Sequence, residues 1–279
     1  MAERIDAHHH LWRYRKDEYR WIGPGMQGLA RDFLTKDLEE EMRKCGIDGS
    51  VVVQARQSVE ETDWLLDLAG GSSLIRGVVG WAPIASPAFP GVLERWEGNS
   101  LLKGLRHIIQ DEADEEFINR RDFNAGIRAL AGSSLVYDIL IYERHLPAAV
   151  KFVDWHPNQI FVLDHMAKPR IKDHQLEPWG SNVHELAKRE NVYCKLSGMV
   201  TEADWQNWTA ADLRPYFDVV LNAFGPKRLM FGSDWPVCWL ACTYGRWFDT
   251  VHEFVNELSG AERELIFGGV ASEVYWLKK

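Results

Sequence analysis

The constraint that bears hardest on this chain is an alternation. Apolar, β-branched runs recur between stretches with helical spacing, and composition does not break from one end to the other. The run Gly49-Ser-Val-Val-Val-Gln-Ala55 lacks polar alternation, so it suits a strand covered on both faces, as in a parallel sheet. Similar runs lie at 75–82, 102–109, 135–142, 160–165, 192–196 and 228–233, and the first strand begins near Ile5. Between them, Leu34, Leu38, Met42 and Cys45 recur at helical spacing and stop at Gly46. Ser58 with Glu61, and Thr209 with Asp212, have the spacing of helix capping boxes. Further helices are expected around 92–96, 123–131, 147–155, 183–190 and 213–224, followed by one carrying Phe248, Val251, Val255 and Leu258 and by a tail helix opened by Ser259 and Glu262. About eight strand–helix units of this kind predict an α/β fold, a single (β/α)8 TIM barrel over 1–279. An open doubly wound sheet fits less well, because no glycine-rich phosphate turn follows the first strand.

Composition narrows the function. A net charge of −9 argues against nucleic acid as partner. No stretch is apolar enough to span a bilayer, and no apolar signal core opens the chain. Cys45, Cys194, Cys238 and Cys242 show no zinc-knuckle or redox spacing, which suits free thiols in a reducing, cytoplasmic setting.

In such a barrel, polar residues at the C-terminal strand ends meet in one pocket. The first strand carries Ile5-Asp-Ala-His-His-His-Leu-Trp12. Alternation puts His8 and His10 on one face with Asp6, and turns His9 outward. Two imidazoles so spaced can hold a metal or polarise a substrate oxygen. Strand two ends with Gln54, strand four with Arg106-His107 followed by Gln110-Asp111-Glu112, and strand six with Asp164-His165 before Lys168-Pro169. Strand seven carries Lys195, and strand eight ends with Gly232-Ser233-Asp234-Trp235-Pro236. Each has a plainer reading: Asp234 as a turn cap, His165 as a satisfied core histidine, Arg106 and Lys195 as partners of Asp164 or Asp111. Five strand tips needing unrelated explanations for buried polarity favour a shared site.

These strings, with Gly104-Leu-Arg-His107, Leu163-Asp-His165 and Tyr193-Cys-Lys-Leu-Ser-Gly198, resemble the amidohydrolase superfamily over essentially the whole chain. The set is similar to its sugar-lactone lactonase branch, which includes L-fuconolactonase and L-rhamnonolactonase-like enzymes. The resemblance implies an amidohydrolase-like barrel that hydrolyses a sugar lactone, with Asp234 as general base and His8, His10 and His165 around the carbonyl or metal. Arg106 and Lys195 are expected as further donors, and Gln54 and His107 as substrate contacts. Trp12, Trp21, Trp235 and Tyr19 are expected as an aromatic wall. Strand four lacks a bridging Lys or Glu and strand five lacks a His, so a two-metal site is not expected. One divalent ion, zinc by ligand type, on His8, His10 and Asp234 is the expected occupant, without being a strict requirement. The competing readings are a carboxylated-lactone hydrolase or decarboxylase on the same barrel, and a metal- or sugar-binding barrel without catalysis.

Overall fold

The structure, a computed structural model, describes residues 2–278. Eight strands pair in sequence order, each parallel to the next. They are β1 (Ile5–His9), β2 (Gly49–Val53), β3 (Ile75–Gly80), β4 (Leu102–Ile108), β5 (Val136–Leu140), β6 (Phe161–Leu163), β7 (Val192–Leu196) and β8 (Leu229–Phe231). The helices that return the chain are α1 (Thr35–Cys45), α2 (Val59–Gly70), α3 (Phe89–Arg95), α4 (Arg121–Leu130), α5 (Leu146–Asp154) and α6 (Trp179–Ala187). After β7 come α7 (Met199–Glu202) and α8 (Ala210–Phe224). After β8 come α9 (Tyr244–Phe254), α10 (Gly260–Glu264) and α11 (Val270–Val274). The expected TIM barrel is therefore present, with strand and helix bounds shifted by a few residues.

Two apolar layers follow from the strand alternation. Ile5, Ala7, Val51, Val53, Val79, Val136, Val162 and Met230 fill the barrel. Val52, Val78, Leu105, Ile139, Cys194 and Phe231 face the helices. At the N-terminal end, Val270, Ala271, Val274 and Tyr275 close the floor. Capping follows the local chemistry. Gly46 ends α1 at φ 63, where a side chain would be strained. Ser58 accepts the Glu61 amide, as the spacing predicts. The Glu61 carboxylate, however, turns to the amides of Ala55 and Arg56 beyond β2, at 2.9 Å each. Glu61 thus ties the β2 tip to α2 instead of completing the box, and burial pushes its carboxyl up to about 7.

The seam between β1 and β8 closes differently from the other pairs. The Asp234 amide donates to His8 O at 2.8 Å, and the His10 amide donates to Trp235 O at 2.7 Å. Gly232 sits where a Cβ would lie 2.7 Å from His8 Cβ, so the close approach of the two strands needs a glycine. Among the described residues no helix is long and apolar enough to cross a membrane.

Candidate active site

The β1 tip departs from simple alternation. Asp6 pairs with Ser50 and His9 with Val52, so β1 spends one residue more than β2 between these points. That bulge turns Asp6 away from His8 and His10. Contrary to the expectation that it shares their face, Asp6 fastens the seam. It accepts hydrogen bonds from the Ser233 hydroxyl (2.6 Å) and amide (2.9 Å), from the His8 amide (3.1 Å) and from Tyr244 OH (3.0 Å). Burial pushes its carboxyl up to about 6 despite these donors. His9 points outward, as predicted, and its Nε2 meets Ser50 Oγ at 3.0 Å.

His8 and His10 converge with their Nε2 atoms 3.2 Å apart. His10 Nδ1 faces Val53 O at 2.8 Å; a carbonyl only accepts, so Nδ1 carries the proton. Asp234 Oδ1 lies 3.4 Å from His10 Nε2, 3.8 Å from His8 Nε2 and 3.9 Å from His165 Nε2. Burial raises the Asp234 carboxyl, but its neighbours His165 and Lys168 outweigh it and hold the group below the ordinary carboxylate range. Burial lowers His165 to about 4 and puts His8 well below the usual imidazole range, so both are neutral near pH 7.

Backbone strain aims two of these side chains. Asp234 has φ 56. His165, Met166, Ala167 and Lys168 run at φ between 50 and 59, a left-handed turn without a glycine. Such residues cost roughly 1–2 kcal/mol each. This turn also ends β6 at Leu163, short of the expected His165. The surroundings hold it: Trp179 Nε1 donates to Met166 O at 2.7 Å, His165 Nδ1 meets Ser197 Oγ at 2.8 Å, and Gly198 leaves room for the His165 ring.

Arg106 and Lys195 are both committed to carboxylates. Arg106 Nη1 donates to Asp164 Oδ2 at 2.8 Å and Nη2 to Gln54 O at 2.5 Å. Lys195 Nζ lies 2.5 Å from Asp138 Oδ2 and 3.0 Å from Asp164 Oδ1. Burial opposes ionisation of Asp164, but Lys195, His8 and Arg106 hold it well below the usual range. Burial lifts Asp138 to about 6 against the pull of Lys195. Expected as donors to substrate, both cations neutralise buried acids under the histidines. Asp138 and its further partner Tyr275 (OH to Oδ1, 2.8 Å) were not among the sequence candidates. An aspartate inside the apolar run 135–142 was the available signal for the first. A tail tyrosine carries none.

The aromatic expectation also changes. Trp12 and Trp235 are fully buried and Tyr19 nearly so, donating its OH to Glu61 at 3.1 Å. They pack behind the pocket with Phe33, and only Trp21 of the expected wall keeps part of its surface open. Trp239, which stacks edge-on against Trp235, is the exposed member of this group. His107 turns from the cluster, as a neighbour of inward Arg106 must. It stacks on Phe117, accepts from Trp81 Nε1 at 3.2 Å and contacts Glu112 at 2.6 Å, so both ring nitrogens are engaged. Gln54 is buried with Oε1 unpartnered, as are Arg106 Nε, Trp21 Nε1 and Trp235 Nε1 among the expected substrate contacts.

The donor atoms of His8, His10 and Asp234 form a group able to hold one ion. Zinc bonds of about 2.0–2.1 Å in a tetrahedron place neighbouring ligand atoms roughly 3.3–3.4 Å apart. The observed separations of 3.2, 3.4 and 3.8 Å match that size. A second group, His8, Asp164 and His165, shares His8 and relies on an aspartate already bound by two cations.

The chain is similar to known proteins over nearly its whole length. The family described as Amidohydrolase matches residues 5–277. The chain is 44% identical to an L-fucono-1,5-lactonase of Burkholderia multivorans, over 99% of this chain and 97% of that protein. It is 36% identical to an L-fucono-1,5-lactonase of Burkholderia ambifaria, over 99% and 96%. A crystal structure of an amidohydrolase from Burkholderia multivorans with bound zinc superposes with a TM-score of 0.96 at 42% identity, covering 99% of this chain and all of that one.

Proposed function

The chain belongs to the amidohydrolase family, and from that premise we propose that it is a lactonase opening a sugar lactone of the L-fucono-1,5-lactone class to the aldonic acid. One observation carries the mechanism: the ionised Asp234 carboxylate faces three imidazole Nε2 atoms at 3.4–3.9 Å, and all four side chains are buried. A base flanked by groups that can donate to a carbonyl oxygen is what ester hydrolysis requires.

Asp234 accepts a proton from water as the water oxygen adds to the lactone carbonyl. Negative charge then gathers on the carbonyl oxygen, where an imidazole N–H of His165 or His8 stabilises it. The bond from carbonyl carbon to ring oxygen breaks, and the proton on Asp234 passes to the departing oxygen. His8, His10 and Asp234 are the residues that would hold a zinc-sized ion, which when bound supplies Lewis-acid polarisation of the carbonyl. Gln54 and Trp21 are our candidates for contacts to the sugar.

A carboxylated lactone, or a carboxylate losing carbon dioxide, would call for cations free to meet the substrate carboxylate. Arg106 and Lys195 already have carboxylate partners, which weighs against that reading. A purely binding barrel has no use for an ionised base in this position. All four cysteines are free thiols, which suits a cytoplasmic setting. The test is acid release from a panel of five- and six-membered aldonolactones, above the spontaneous rate. No release from any of them would overturn the proposal.

A further inference from the structure

Beneath the pocket, a hydrogen-bonded chain rises from the barrel floor to His8. Tyr275, just after α11, donates its OH to Asp138 at 2.8 and 3.0 Å. Lys195 bridges Asp138 Oδ2 and His8 Nδ1, the latter at 3.2 Å. All four residues are buried. An ammonium has donors only, so His8 Nδ1 can bond it only as an acceptor, and the neutral imidazole then carries its proton on Nε2.

The remaining neighbours of His8 decide whether that arrangement holds. With the proton on Nε2, His8 donates to His10 Nε2 at 3.2 Å, which is free to accept because His10 Nδ1–H is spent on Val53 O. The loss is a 3.4 Å contact from Arg106 Nη1, a group already bonded to Asp164. With the proton on Nδ1 instead, two lone pairs face each other across 3.2 Å, and an N–H is turned toward the Lys195 ammonium. The gains are the 3.4 Å Arg106 contact and a 3.3 Å approach to Asp164 Oδ1, which takes no well-aligned hydrogen bond. The first arrangement satisfies the two shorter contacts, and the second breaks both.

We propose that Lys195, steadied by Asp138 and Tyr275, is a positioning residue that sets His8 in its Nε2–H tautomer, so that in the metal-free cluster a proton, shared with His10, occupies the very atom a metal would need. Metal binding at His8 Nε2 then requires the proton to move to Nδ1, with Asp164 Oδ1 as its only acceptor. Lys195 therefore sets a threshold against occupancy, without any change in the charge of His8. The inference concerns this chain's own hydrogen bonds and stands apart from the lactonase reading, since its test uses no substrate.

The experiment is nitrogen NMR of histidine-labelled, metal-free full-length protein, with the His8 signals assigned by difference against His8→Gln. Zinc titration by calorimetry is run in parallel. The expected result is an unprotonated Nδ1 and a protonated Nε2 on His8. Tyr275→Phe keeps the ring in the floor but leaves Asp138 to draw on Lys195 alone. It should raise the Nδ1–H population of His8 and tighten zinc binding several-fold, while the His10 signals stay put. Lys195→Met should do the same more strongly if it folds. Finding the Nδ1–H tautomer in the metal-free wild type would overturn the proposal. So would a folded Tyr275→Phe protein with unchanged His8 signals and zinc affinity.

Discussion

Gly198→Ala should be among the most damaging one-carbon changes in this protein. The residue has φ 67, and a Cβ there would stand 2.6 Å from His165 Nδ1 and 2.7 Å from Cγ. Two costs add. Holding a non-glycine residue left-handed takes roughly 1–2 kcal/mol. Forcing the packed imidazole aside takes about 1–3 kcal/mol, as overpacking does elsewhere. The expected loss is thus about 2–5 kcal/mol in denaturant unfolding followed by tryptophan fluorescence, with turnover falling because His165 Nε2 leaves its place near Asp234. Gly232→Ala offers a comparison, since its Cβ would meet His8 Cβ at 2.7 Å without an unfavourable φ; only the steric cost of about 1–3 kcal/mol applies. Repeating Gly198→Ala in a His165→Ala background removes the ring and most of the clash. Its cost should then shrink toward the left-handed part alone, roughly 1–2 kcal/mol. Costs that add to within about 0.5 kcal/mol across the cycle would refute the argument, because non-contacting sites behave that way.

Other outcomes follow from the same geometry. Asp234→Asn should fold and lose turnover by about 10²–10⁴-fold; near-normal turnover with an unchanged thermal midpoint would remove Asp234 from the role of base. Asp6 has its folded carboxyl raised from 3.8 to about 6, so its stabilising contribution is full below pH 3.8 and is lost as pH rises through 6. The stability gap between wild type and Asp6→Asn should therefore narrow by about 3 kcal/mol between those pH values, and a gap that widens instead would contradict the assignment. Metal analysis should find no more than one equivalent of zinc per chain, with Asp234→Asn weakening its retention; two equivalents would refute the single-site reading.

The barrel was legible because parallel strands buried on both faces read as unbroken apolar runs, here most clearly at residues 51–53 and Phe161–Leu163. The polar tips His8, His10, His165 and Asp234 stood out against those runs, and the structure brings them together. What escaped was set by contacts distant in the chain. The outward turn of Asp6 depends on a bulge that strict alternation conceals. The orientation of His107 was readable in principle from its neighbour Arg106, whose inward direction forces the opposite one. The left-handed turn at 165–168 contains no glycine to announce it. Which acids claim Arg106 and Lys195 is a matter of strand-to-strand geometry, and the same holds for Tyr275, which reaches Asp138 across 137 residues.

The seam between β1 and β8 has a kinetic consequence. Each of the other strand pairs joins neighbours in the sequence, whereas Asp6 and Ser233 are 227 residues apart. Contacts across so long a loop are the ones a folding chain secures last. A nascent or refolding chain can acquire most of its helices and seven strand pairings while His8 and His10 still wait for their carboxylate. In a refolding time course, recovery of turnover should therefore lag behind recovery of helical signal. Catalysis in this enzyme would then serve as a reporter of the final closure of the barrel.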